Sequence, residues 1–276
     1  MKGKTKIIAL AGFGLLLMSL NPSREYKQTP DLYGMEYQEL KIPTPDGATL
    51  YGWFFPAPKE SKRYIIISDD GEGNMADNLE LVSLFQSAGY NVITYDYRGF
   101  GKSSDFKIDN RVYIYPQFVK DLEAVIKFSR RRFPTVKFDL YGRGIGAGIS
   151  IGVACNRNDI VKVIADAPFL KLQDIKQRYM KYKGQEVIIP FGYNKKYEPY
   201  YAIEEPPTAL KGILVIVGEN DKVIGPEDIK KWQKEVKPAK KLVELYIVPG
   251  VDNAQTFEKD KDAYFNKIRE FLADRD

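Results

Sequence analysis

The stretch Tyr141-Gly142-Arg143-Gly144-Ile145-Gly146-Ala147-Gly148 lies between a strand-like apolar run and a helical one. Its spacing is that of G-x-S-x-G, in which a strand turns sharply into a helix and holds a serine exposed above the sheet for acyl transfer. The central position here is Gly144, so the turn is present without a nucleophile. The same glycines also match the start of a dinucleotide-type phosphate loop. Against that reading, they fall past the middle of the chain rather than in a first strand-helix-strand unit.

Other chemistry is bounded by what the chain lacks. It has no histidine, which removes the commonest general base and the commonest metal ligand, and its single Cys155 forbids an internal disulfide. Ser150 and Cys155 follow the glycine turn on the same helix, where packing is the simpler role. What remains in quantity is carboxylate: Asp69, Asp70 and Glu72 in one segment, Glu219 and Asp221 in a second, Asp252 in a third. Of these, Asp70, Asp221 and Asp252 are the candidate ligands for a divalent cation, because hard cations favour several oxygen donors. Turn N–H groups and Arg98, Arg143 or Lys222 are the competing partners.

These residues need a scaffold. The chain of 276 residues is 44% hydrophobic, ample for one large core, and 42 basic against 37 acidic residues leave a charge of only +5. That excess is compatible with an anionic surface, but no nucleic-acid motif or clustered basic face accompanies it. Alternation from Tyr37 to Ile42 and again from Thr49 to Phe55 predicts an N-terminal antiparallel hairpin. Apolar runs at Tyr64–Ser68, Asn91–Tyr95, Lys137–Tyr141, Val161–Ala165, Gly212–Val217 and Lys241–Val248 predict strands buried on both faces. Helical patterns separate them at Asn78–Ala88, Pro116–Arg131, Gly146–Cys155, Pro226–Lys237 and Lys261–Ala273. The order predicts an α/β fold with a mostly parallel, doubly covered sheet. In such sheets functional groups gather beyond the carboxyl ends of the strands, where all the segments named above end. Residues 170–211, basic and rich in tyrosine, are expected to form a small cap that covers a pocket, faces anionic lipids or is simply solvated.

Lys2, Lys4 and Lys6 precede an uncharged apolar run from Ile7 to Leu20. This predicts a signal anchor or signal peptide over residues 1–23, a polar linker from Asn21 to about Gly34, and a main domain over 24–276 outside the cytoplasm.

Two further segments complete the pattern: Ser68-Asp69-Asp70-Gly71-Glu72-Gly73-Asn74, and Tyr95-Asp96-Tyr97-Arg98-Gly99-Phe100-Gly101-Lys102-Ser103. Together with the glycine turn they resemble the membrane-anchored, serine-aminopeptidase-like branch of the α/β-hydrolase superfamily. Members have a strand ending in His-Gly, then Asp-Tyr-Arg-Gly-x-Gly-x-Ser; here Asp70 replaces that histidine. The resemblance implies that the region of Asp70, Gly71 and Glu72 borders an oxyanion hole. It implies that Gly218-Glu219-Asn220-Asp221 supplies the triad acid, Asp221. It also places Asn253, within Pro249-Gly250-Val251-Asp252-Asn253, at the catalytic histidine.

In the family mechanism a serine attacks, a histidine takes its proton and the acid holds the imidazole. Glycine cannot attack and asparagine cannot relay a proton near neutral pH. The reading is a catalytically silent pseudohydrolase at the cell envelope, without cofactor, binding a small molecule, lipid or protein through the inherited pocket or cap. The alternative is an ester or amide hydrolase with a carboxylate- or metal-assisted mechanism.

Overall fold

The computed structural model describes residues 20–133, 137–252 and 255–273. The elements run in chain order as β1 (Asn21–Pro22), β2 (Gln38–Pro43), β3 (Thr49–Phe55), β4 (Tyr64–Ser68), β5 (Glu72–Gly73), α1 (Leu79–Ser87), β6 (Asn91–Tyr95) and α2 (Pro116–Arg132). They continue as β7 (Phe138–Arg143), α3 (Gly144–Ala154), β8 (Ile160–Asp166), α4 (Leu172–Arg178), α5 (Pro199–Ala202) and β9 (Gly212–Gly218). The last are α6 (Pro226–Glu235), α7 (Lys237–Leu242), β10 (Val243–Val248), α8 (Thr256–Lys259) and α9 (Lys261–Ala273).

Eight strands form one sheet in the order β10-β9-β8-β7-β4-β6-β3-β2. Pairing is parallel from β10 through β6 and antiparallel at β6–β3 and β3–β2. This is an α/β-hydrolase fold with its N-terminal antiparallel strands and a cap insertion, as expected. The physical basis is the strand period of two. Ile66, Leu140, Val163 and Val215 enter one core with α2 and α3, while Ile65, Ile67, Tyr141, Ile164 and Leu214 enter the other with α1 and α9. Helix α2 shows the complementary logic. Pro116 starts it, Phe118, Val119, Leu122, Val125 and Ile126 face the sheet, and Arg130, Arg131 and Arg132 meet the negative end of its dipole.

The N-terminal segment departs from expectation. Leu20 to Ser23 form a strap on the domain, where the sequence suggests the start of a polar linker at Asn21. β1 pairs in parallel with β5, with Asn21 N–H donating to Gly71 O at 2.9 Å and Ser23 N–H to Gly73 O at 2.7 Å. Leu20 is fully buried. Arg24 reaches Ser103 O at 2.9 Å, and Tyr26 donates to Asp96. Backbone pairing needs no side-chain pattern, so Asn-Pro-Ser read as linker.

The membrane anchor is corrected: among the described residues, no helix is long and apolar enough to cross a membrane. Residues 1–19 of the expected leader lie outside the described residues. The membrane as partner and the envelope location rested on that anchor and fall with it. The lipid-facing reading of the cap weakens as well. Arg178 pairs with Asp228, Lys183 with Asp252 at 3.4 Å, and Lys171 sits 3.5 Å from the Tyr200 ring centroid.

Candidate functional site

β7 passes directly into α3 at Gly144, whose φ is +50°. L-residues adopt that conformation only with strain, so the turn keeps the shape that would expose a nucleophile. Helix α3 lies close against the end of β4: a Cβ at Gly146 would fall 2.4 Å from Asp69 O. The elbow is thus intact in backbone and empty in side chain.

The space above it is taken by Asp70. A Cβ built at Gly144 would lie 3.1 Å from Asp70 Cβ. The Asp70 carboxylate turns back on its own loop and accepts from Glu72 N–H at 3.0 Å. It also pairs with Arg143 at 2.9 Å. The N–H expected to border an oxyanion hole is therefore already bonded to an anion. Gly71 N–H is similarly engaged, donating to Asp69 Oδ1 at 3.1 Å, while Asn78 Nδ2 donates to Asp69 Oδ2 at 2.8 Å. Burial, then the Asp70 charge, push the Asp69 carboxyl well above its usual range. A third element closes this side: the strap brings the Leu20 side chain to the same spot as Ile145, each within 3 Å of where a Gly71 Cβ would be.

Asp221 follows β9. Its Oδ1 accepts from Val223 N–H at 2.7 Å and Ile224 N–H at 3.0 Å, while buried Oδ2 has no partner among the described residues. A triad acid gives its second oxygen to an imidazole, and this chain has none. Burial pushes the Asp221 carboxyl up to about 6. Asn253 lies outside the described residues.

A cavity of about 630 Å³ opens at the elbow. Gly144 and Ile145 form its floor, Tyr113, Tyr179, Val223 and Ile224 its apolar walls, and Asp70, Glu72, Arg143, Asp166, Lys183 and Asp252 its charged rim. Asp166 was not singled out from the sequence because it reads as the tail of an apolar strand. The strand-end rule applied to β8 would have found it. It is only 3% exposed. Its Oδ2 accepts from Thr256 Oγ1 at 2.6 Å and Tyr264 OH at 2.8 Å, and its Oδ1 has no partner among the described residues. Burial pushes it up to about 6, against the pull of those donors and of Arg143. The next residue, Ala167, has φ +53°, an unusual conformation for a residue with a Cβ, and it too lines the cavity.

The three candidate cation ligands are each engaged by other groups. Asp70 is held by Arg143, Asp221 by two backbone N–H groups and Asp252 by Lys183. Among the described residues no group of three potential ligands converges. The phosphate-loop reading also fails on charge, because Asp70 covers Gly144 and Asp166 stands beside it. Ser150 and Cys155 are buried in α3 and at its end, away from the rim.

Residues 61–191 match the family described as serine aminopeptidase, S33. The chain is 26% identical over 266 residues to protein bem46 of Schizosaccharomyces pombe, covering 92% of this chain and 82% of that one. It is 27% identical over 252 residues to the uncharacterized protein YfhR of Escherichia coli, covering 88% and 82%. Among solved structures, an esterase of Pyrococcus furiosus superposes with a TM-score of 0.75 at 22% identity, covering 93% of this chain and 97% of that one. A carboxyl esterase of Bacillus coagulans gives 0.68 at 14% identity, covering 87% and 99%. The chain is thus similar to esterases in fold along nearly its whole described length, and similar in sequence to the aminopeptidase family over its middle.

Proposed function

We propose that this protein is a catalytically silent α/β-hydrolase-like protein that uses the inherited cavity to bind a small ligand. The observation that carries this reading is Asp70. It fills the space over a glycine elbow and bonds the Glu72 N–H that a reacting carbonyl would need. A hydrolase requires a nucleophile, a proton relay and free donors for the developing oxyanion. Gly144 removes the first, the absence of histidine the second, and Asp70 competes for the third. Loss of the reacting groups typically leaves about 10³ to 10⁴-fold acceleration over water, from binding and the oxyanion donors. Even those donors are compromised here.

A second reading has one observation in its favour. Among the described residues Asp166 and Asp221 each carry a buried oxygen without a partner, and each has a carboxyl pushed up to about 6, which suits a general base for water attack. Fluorophosphonate labelling and turnover of activated esters separate the two. The silent reading expects neither above buffer for the full chain. Turnover that resists fluorophosphonate and vanishes in Asp221→Asn would establish the carboxylate mechanism instead.

A further inference from the structure

We infer that the cavity at the elbow is a site for an organic ammonium ion, a protonated primary or secondary amine with a small apolar body, anchored by the free oxygen of Asp166. The inference rests on the reading of the cavity as a ligand site and specifies its ligand.

The charges lining the cavity do not cancel. Arg143 is paired with Asp70 at 2.9 Å and Lys183 with Asp252 at 3.4 Å. Those pairs engage both basic residues lining the cavity, Glu258 pairs with Lys261 at 3.2 Å, and among the described residues Glu72 and Asp166 have no ion pair of their own, although Arg143 acts on both through space. Asp166 is the decisive one. A side chain 97% removed from solvent normally has every polar atom satisfied, and a lone carboxylate oxygen costs more than a neutral one. Thr256 and Tyr264 serve Oδ2 and leave Oδ1 without a partner among the described residues, on a residue that lines the cavity. An ammonium N–H would supply the missing donor and the opposite charge together.

The remaining walls fit the body of such a ligand. Tyr113 and Tyr179 meet edge to face with ring centroids 5.6 Å apart, and Val223, Ile224 and Ile145 add apolar surface. Aromatic faces attract organic cations. A volume of about 630 Å³ takes a small molecule rather than a polymer. An anionic ligand would have to displace Asp70 or Asp252 from its pair and would face Asp166, whose charge Arg143 offsets only in part.

The test uses the full chain at pH 7.5, where a carboxyl at about 6 is ionised. Titration with hexylammonium chloride is compared with hexanoate and hexanol by calorimetry and by thermal shift. The ammonium ion is expected to bind at least tenfold tighter than either control. Asp166→Asn, which keeps the acceptor for Thr256 and Tyr264, should lose at least tenfold of that affinity. Glu72→Gln, at an exposed position, should lose a few-fold while leaving the melting temperature unchanged. Binding of hexanoate as tight as hexylammonium, no binding of hexylammonium, or an unchanged affinity in Asp166→Asn would each overturn the inference. Ester turnover by the natural protein would refute catalytic silence alone and leave these affinities to be judged separately.

Discussion

Two arginines organise two loops at the same edge of the sheet, and they are treated oppositely. Arg98 donates to Asp121 through Nε at 2.9 Å and Nη2 at 2.6 Å, and to Asp46 at 2.9 and 3.1 Å. Its side chain is 7% exposed and that of Asp121 is fully buried. Arg143 is one-third exposed and holds Asp70 by one bond, with partnerless oxygens of Asp166 and Asp221 nearby on the same edge. The first network is closed, as polar groups that hold a fold must be. The second is open, as the proposed ligand site requires.

The largest effect should come from breaking the closed network. Asp121→Ala leaves the Arg98 guanidinium buried with only Asp46, and is expected to cost about 3–5 kcal/mol in urea unfolding. Asp70→Ala at the open pair should cost less than about 1 kcal/mol, because water replaces the partner. Equal costs would erase the distinction between the two regions.

Next in size is a dependence on pH. The Asp221 carboxyl titrates at about 6 folded against 3.8 in its ordinary state, so the folded protein holds the proton more tightly. Its contribution to stability therefore rises as pH falls from above 6 towards 4. Asp221→Asn removes the charge, and should be more stable than the natural protein at pH 8 by up to about 2–3 kcal/mol. The gain should disappear near pH 4. Melting curves at the two pH values check it, and a gain independent of pH would mean that Asp221 is not the titrating group.

A smaller effect is expected at the elbow. Gly144→Ala places a Cβ at φ +50° and 3.1 Å from Asp70 Cβ, at a cost of about 1–2 kcal/mol for the backbone. Adding Asp70→Gly should recover the contact and not the backbone strain, a coupling that a double-mutant cycle reads directly. Full recovery would show that the elbow is not strained.

The frame was legible because it rests on periodicity. The strand at Tyr64–Ser68 and the helix at Lys261–Ala273 fall where a short apolar run and three-to-four spacing put them. The glycine elbow was legible because close packing at Gly146 and positive φ at Gly144 leave few other residues. The strap was not, since β1 is held by backbone bonds to Gly71 and Gly73 that no residue type announces. Asp166 escaped notice because its importance lies in a missing hydrogen bond, which only three-dimensional neighbours reveal. Asp70 stands out in the sequence as the residue before Gly71, but its turn onto Glu72 N–H and Arg143 follows from loop geometry.

If the elbow is preserved and only its chemistry is gone, restoring the reacting groups should restore turnover. Hydrolysis of a panel of activated esters is measured for the full chain and for the variant carrying Gly144→Ser, Asn253→His and Asp70→His together. The account predicts no turnover above buffer for the natural protein and measurable, fluorophosphonate-sensitive turnover for the variant. Turnover by the natural protein that is lost in Asp221→Asn would contradict it.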